Sequence, residues 1–124
     1  MVKANRREIE AARVIVRSRD GHRCQMCGAS ILNQPSSIHH RRRRGMGGSA
    51  LLERPSNLVR LCGTGTTGCH GFVESQRTLA TVRGWLLGFL DDPEATPLRC
   101  FDGWMLLSDD GSRVPCDPPS EVSA

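Results

Sequence analysis

Aromatic side chains are scarce in this sequence of 124 residues, which contains three Phe, two Trp and no Tyr. A chain of this length is about one domain, and a core with so few large rings gains little from apolar burial. Small domains of this kind usually depend on disulfides or on a structural metal. The six Cys residues supply ligands for either.

A long apolar run is also missing. Residues 1–7 carry charges with no hydrophobic segment behind them, which is unlike a secretory signal peptide. The most apolar stretch, residues 85–90, is too short to cross a bilayer. We therefore expect a cytoplasmic protein with no membrane partner. Paired cysteines in that compartment bind metal more often than they form disulfides.

Lysine is nearly absent, since Lys3 is the only Lys among the 17 basic residues. A GC-rich genome favours Arg codons, and Arg also suits bidentate binding of phosphate. Residues 1–90 carry a net charge of +10 and residues 91–124 carry −6. Codon bias does not explain this segregation, which is typical of proteins that bind a polyanion.

The hydrophobic pattern predicts an α+β domain made of short elements. The predicted elements are a helix over residues 5–19, short strands over 36–40 and 58–61, a long helix over about 71–90 and a small hairpin over 98–114. We expect one domain over residues 1–116, with a motif core over about 17–90 and a C-terminal hairpin extension over about 97–116. Residues 117–124 should form a disordered tail.

Four of the cysteines form two pairs that flank the predicted strands. Cys24 and Cys27 have the spacing of a zinc knuckle, and Cys62 and Cys69 provide a second pair. Two such pairs predict a tetrahedral structural zinc, with buried apolar thiols as the alternative. The second pair is widely spaced, so residues 63–68 must fold back to bring the two sulfurs together. The remaining two, Cys100 and Cys116, are expected to be ordinary thiols, with a disulfide or a place in a second metal site as the alternatives.

Polar residues suited to phosphodiester hydrolysis lie between and beside these pairs. His39 and His40 fall between the pairs, Asn57 precedes the second pair, and His70 follows Cys69 directly. An imidazole can deprotonate water near neutral pH, and a divalent metal can stabilise the charge on a scissile phosphate. The alternative is that the two adjacent histidines have no catalytic role. Adjacent strand residues face opposite sides, so the two can share a site only if the strand ends or distorts there.

These motifs, in this order and spacing, resemble the HNH endonucleases. The resemblance covers roughly residues 17–90 and is closest to small bacteriophage HNH proteins with a four-cysteine zinc site. It is carried by the following segments: Arg19-Asp20-Gly21-His22-Arg23-Cys24, Ile38-His39-His40-Arg41, Asn57-Leu58-Val59-Arg60-Leu61-Cys62 and Gly68-Cys69-His70-Gly71.

The resemblance implies a ββα-metal (His-Me finger) core with one catalytic divalent ion such as Mg²⁺, Mn²⁺, Ni²⁺ or Zn²⁺. It assigns His40 as the general base, His39 and His70 as ligands of that ion, and Asn57 as the residue that holds the loop and orients the base. Glu74 lies one helical turn after His70 and is a candidate third ligand. The alternative, to which we give equal weight, is that Glu74 is a solvated residue on the surface of the helix.

A run of arginines, Arg41, Arg42, Arg43 and Arg44, lies in a Gly-rich loop next to the proposed base. We predict that these side chains contact the DNA backbone, with Arg60 and Arg77 extending the surface. A solvated charge run is the alternative. The scarcity of aromatic residues favours duplex DNA over a stacking platform for single strands.

The sequence therefore predicts a metal-dependent DNA endonuclease or nickase. The resemblance suggests a phage packaging accessory that acts with terminase. The alternative is a zinc-stabilised module that binds DNA or docks on terminase without catalysis. The acidic residues 91–124 are either a docking element or a segment that packs on the long helix.

Overall fold

The computed structural model describes residues 4–43 and 50–120. Within these ranges the protein has three α-helices and two antiparallel sheets, which confirms the predicted α+β class. The helices are α1 (Arg6–Asp20), α2 (Gly68–Ser75) and α3 (Arg77–Val82), and the strands are β1 (Ser36–His40), β2 (Leu58–Cys62), β3 (Leu98–Cys100), β4 (Gly103–Leu107) and β5 (Arg113–Pro115).

Helix α1 matches the prediction to within one residue. The side chain of Asn5 caps its N-terminus by accepting a hydrogen bond from the backbone N–H of Glu8. The helix stops at Gly21, whose φ of 61° favours a residue without a Cβ. Its apolar face buries Ala12 and Val16 against the first sheet.

Strands β1 and β2 form an antiparallel pair in which Ser36 lies opposite Cys62 and His40 lies opposite Leu58. Both strands were predicted within one residue of their observed bounds. Ile38 and Leu58 pack towards α1, whereas Val59 contributes to the main core. Helix α2 follows β2 and packs against it, so residues 36–75 trace two strands and a helix.

The predicted long helix over residues 71–90 is wrong, because α2 ends at Ser75 and α3 ends at Val82. Gly84 then adopts a φ of 81°, and a Cβ there would lie 2.1 Å from the carbonyl oxygen of Pro97. The chain turns at this glycine, which brings Trp85 into the core with 1% of its surface exposed.

The predicted C-terminal hairpin is part of a larger unit, since β3, β4 and β5 form a three-stranded antiparallel sheet. Leu98, Met105 and Leu107 from this sheet join Val73 and Trp85 in the main core. Residues 117–120 of the predicted tail form no helix or strand, and residues 121–124 lie outside the described residues. None of the described helices has the length and apolar character needed to span a membrane.

Candidate functional site

The four paired cysteines come together in one cluster. The sulfur atoms of Cys24, Cys27, Cys62 and Cys69 all lie within 4.8 Å of one another. Ligand sulfurs around a tetrahedral zinc, at bonds of about 2.3 Å, are about 3.8 Å apart. The backbone N–H of Cys69 also points at the sulfur of Cys62, at 3.4 Å. The cluster can therefore hold a metal ion such as zinc.

The loop over residues 63–68 folds back, as the wide spacing of the second pair requires. Thr64 and Thr67 exchange backbone hydrogen bonds of 3.1 and 3.2 Å, which closes the loop. Gly63 has a φ of 85°, and a Cβ there would lie 2.1 Å from the carbonyl oxygen of Thr67. Glycine is therefore required at this turn, and Cys69 returns beside Cys62.

The surroundings of the cluster shift the pKa values of Cys24 and Cys69 in opposite directions. Burial and the neighbouring sulfurs raise the pKa of Cys69. Burial acts in the same direction on Cys24, but backbone N–H groups of Cys27, Cys62 and Met26 outweigh it and lower the pKa of Cys24. A bound cation would relieve the repulsion among four thiolates, so this donor set is suited to zinc.

The other two cysteines lie outside this cluster. Cys100 is buried in the main core, where burial raises its pKa to about 11. Cys116 is partly buried after β5 and, like every cysteine of the chain, is not in a disulfide.

A second set of metal ligands is formed by His39, His70 and Glu74. One ligand atom from each residue lies within 4.8 Å of those of the other two. His39 comes from β1, and the other two residues lie one turn apart on α2. The two imidazole rings are edge to face, with centroids 5.1 Å apart. The structure thus brings together the three residues that the sequence suggested for a second ion.

The hydrogen bonds of the two imidazoles fix their tautomers. His39 Nε2 lies 2.6 Å from the carbonyl oxygen of Trp85, which can only accept, so Nε2 carries the hydrogen. Ser37 Oγ donates to the carbonyl of Gly63 and lies 2.6 Å from His70 Nδ1, so Nδ1 donates to Oγ. The lone pairs are therefore on His39 Nδ1 and His70 Nε2. Metal-binding histidines are typically held in this way.

The pKa values of both imidazoles are lower than the ordinary value for histidine. Burial lowers the pKa of His39 to about 4, against the opposing hydrogen bond to Trp85, and His70 and His40 lower it further. Burial also lowers the pKa of His70, with Glu74 acting in the opposite direction. A lowered pKa favours the neutral imidazole, which can ligate a cation without first losing a proton.

His40 does not belong to this three-residue cluster. It is the last residue of β1 and is oriented towards Glu53, with 2.9 Å between His40 Nε2 and Glu53 Oε2. It is nevertheless near enough to lower the pKa values of both His39 and His70. Glu53 could not be found from the sequence, because a single acid in a segment predicted as a loop gives no pattern.

Asn57 is completely buried and holds the chain on both sides of the loop. Its amide nitrogen donates to the carbonyl of Leu52 at 2.9 Å and to that of Arg42 at 3.3 Å. Its side-chain oxygen accepts from the backbone N–H of Arg42 at 2.7 Å. Asn57 therefore fixes the chain just after His40.

Arg41 corrects the predicted DNA-binding surface, because its side chain is completely buried. Its guanidinium donates hydrogen bonds of 2.8–3.1 Å to the carbonyl oxygens of four residues: Ser56, Gly84, Pro93 and Thr96. Burial lowers its pKa to about 10, which leaves it charged at pH 7. Arg41 has no surface with which to contact a phosphate, and it ties the site to the segment after α3.

The other predicted DNA-binding arginines have different surroundings. Arg43 and Arg77 are half exposed and both pair with Glu74, at 3.3 and 3.5 Å. Arg42 lies over the ring of Phe89. Arg60 donates to the carbonyl of Gly21 and to Ser36, so its guanidinium joins β1, β2 and the end of α1. Arg44 lies outside the described residues.

Comparison with known proteins leaves the chain without an assigned family. No protein-family model, curated protein or solved structure matches it. The functional argument therefore rests on the two ligand clusters and their surroundings.

Proposed function

We propose that this protein is a metal-dependent DNA endonuclease with a ββα-metal core similar to that of the HNH family. The observation that carries the proposal is the cluster of His39, His70 and Glu74. One ring nitrogen of each histidine is engaged in a hydrogen bond, His39 with the carbonyl of Trp85 and His70 with Ser37, and a ligand atom of each lies within 4.8 Å of those of the other two residues. The cluster joins β1, which carries His39, to α2, which carries His70 and Glu74 and packs against β2.

In this proposal each group of residues has a separate role in phosphodiester hydrolysis. His39, His70 and Glu74 would hold a divalent cation such as Mg²⁺, Mn²⁺, Ni²⁺ or Zn²⁺, which would supply charge stabilisation at the scissile phosphate and the leaving oxygen. His40, at the end of β1, accepts the proton of the attacking water. Asn57 keeps the chain after His40 in place through its three hydrogen bonds. The four-cysteine cluster holds a structural zinc and stabilises the frame.

The substrate we propose is duplex DNA, and the support is the position of two arginines. Arg43 and Arg77 flank Glu74, and about half of each side chain is exposed. A phosphate that approaches the proposed metal would therefore meet two guanidinium groups, which bind phosphate well. The positive charge of residues 1–90 supplies a long-range attraction.

The proposed activity is tested by incubating supercoiled plasmid with the purified, zinc-loaded protein and Mg²⁺, Mn²⁺ or Ni²⁺. We expect nicked or linear product, its loss in EDTA and its loss in His40→Ala. His22→Ala is the matched control, because His22 is exposed and lies outside both clusters. Its activity should equal that of the wild type.

Absence of cleavage by the wild type with every metal would overturn the proposal. Retained DNA binding would then favour the alternative, a zinc-stabilised binding module. Equal cleavage by His40→Ala and the wild type would overturn the role of His40 as the base.

A further inference from the structure

The contact between His40 and Glu53 is part of neither metal cluster. The His40 Nε2 to Glu53 Oε2 distance is 2.9 Å, and the two side chains are only 10% and 12% exposed. A carboxylate can only accept, so the imidazole carries a hydrogen on Nε2. Shielding from water strengthens such a contact compared with one at the surface.

The backbone on both sides of this contact is fixed by one residue. Asn57 donates to the carbonyl of Leu52, directly before Glu53, and bonds to both backbone groups of Arg42, two residues after His40. The backbone N–H of Arg41 also donates to the carbonyl of Asn57, at 2.8 Å. The buried side-chain amide of Asn57 therefore sets the distance between the segment that carries His40 and the segment that carries Glu53.

The segment that carries Glu53 is anchored from its other side as well. Arg54, the next residue, pairs with Asp109 at 2.8 Å and with Glu94 at 3.1 Å. Asp109 also accepts from the backbone N–H of Ser56. Glu53, the last residue of a short 3₁₀ helix over Ala50–Glu53, thus lies on a segment that is fixed on both sides.

We propose that Glu53 is a positioning residue, which holds the ring of His40 in one orientation and in the Nε2–H tautomer. This inference rests on the proposed function, because it concerns the same His40 that we assign as the base. Glu53 acts through His40 and is not expected to touch the substrate. Partners of this kind, which orient a reactive or ligating histidine, typically contribute about 10–100-fold to activity or metal affinity.

The tautomer can be measured directly by long-range ¹H–¹⁵N NMR of the zinc-loaded protein. We expect the Nε2–H form of His40 in the wild type and a loss of that preference in Glu53→Ala. Glu53→Gln keeps an oxygen that can accept the hydrogen bond, so it should largely retain the wild-type tautomer. An Nδ1–H form in the wild type, or no change in Glu53→Ala, would overturn the proposal.

Plasmid cleavage supplies the second readout. Glu53→Ala should lower kcat about 10–100-fold with little change in KM, and Glu53→Gln should recover part of the loss. The substitution should have no further effect in a His40→Ala background, since it acts through that ring. Glu10→Ala, which removes an exposed acid of α1, is the control for charge and should cleave as the wild type does.

The two proposals fail in different ways. Absence of cleavage by the wild type would overturn the proposed function. Wild-type cleavage that Glu53→Ala leaves intact would overturn the role of Glu53 alone. Zinc content and circular dichroism identify a variant that has not folded. In that case Glu53→Met, which removes the acceptor and keeps a side chain of similar length, supplies the test and should show the same loss of tautomer preference and of kcat.

Discussion

At the scale of single residues, two arginines of the same run, Arg41 and Arg43, have opposite environments. Arg41 is completely buried, with its guanidinium on four carbonyl oxygens, whereas the side chain of Arg43 is 49% exposed. Nothing in a run of four arginines distinguishes these positions. The difference arises because Gly84, Pro93 and Thr96, far away in sequence, bring their carbonyls to Arg41.

Replacing Arg41 should therefore destabilise the fold. Arg41→Ala leaves four carbonyl groups without their donor, and we expect the free energy of unfolding to fall by about 3–5 kcal/mol. Arg43→Ala, the matched control, should change it by less than about 0.5 kcal/mol. Urea unfolding of both variants beside the wild type measures these differences. Equal stability of Arg41→Ala and the wild type would contradict the anchoring role.

At the scale of elements, the sequence predicted α1, β1 and β2 because each has a local signal. Asn5 and Gly21 mark the ends of α1, and the strands are short runs between loops. The prediction of a long helix failed because the chain turns at Gly84, where the close approach of Pro97 requires a glycine with a positive φ. Glu53 was missed for a related reason, since only the fold brings it to His40.

The four-cysteine cluster joins elements that are distant in sequence, so its metal should stabilise the whole domain. Cys62→Ser should lower zinc below one equivalent and reduce the thermal unfolding temperature, because metal binding contributes directly to folding. Cys116→Ser is the control and should keep both values, since Cys116 lies outside the cluster. Metal analysis and calorimetry check this. Full zinc content in Cys62→Ser would contradict the assignment of that ligand.

At the scale of the whole molecule, the acidic C-terminal part is integrated into the domain. Leu98, Met105 and Leu107 lie in the main core. The acids Glu94 and Asp109 pair with Arg54, beside the proposed site. Some of the acidic residues in the C-terminal part therefore neutralise an arginine of the same domain. The contacts favour a role of residues 91–120 in packing over a role as a separate docking element. Action with terminase stays a prediction.

The most direct test of the central claim is the rate of plasmid cleavage as a function of Mn²⁺ concentration. We expect the wild type to reach a plateau, and Glu74→Gln and His70→Ala to need more Mn²⁺ for half-maximal rate, because each loses a ligand. His40→Ala should lower the plateau and leave the half-maximal concentration unchanged, because it loses the base. No cleavage by the wild type, or curves that coincide for all four proteins, would contradict the account.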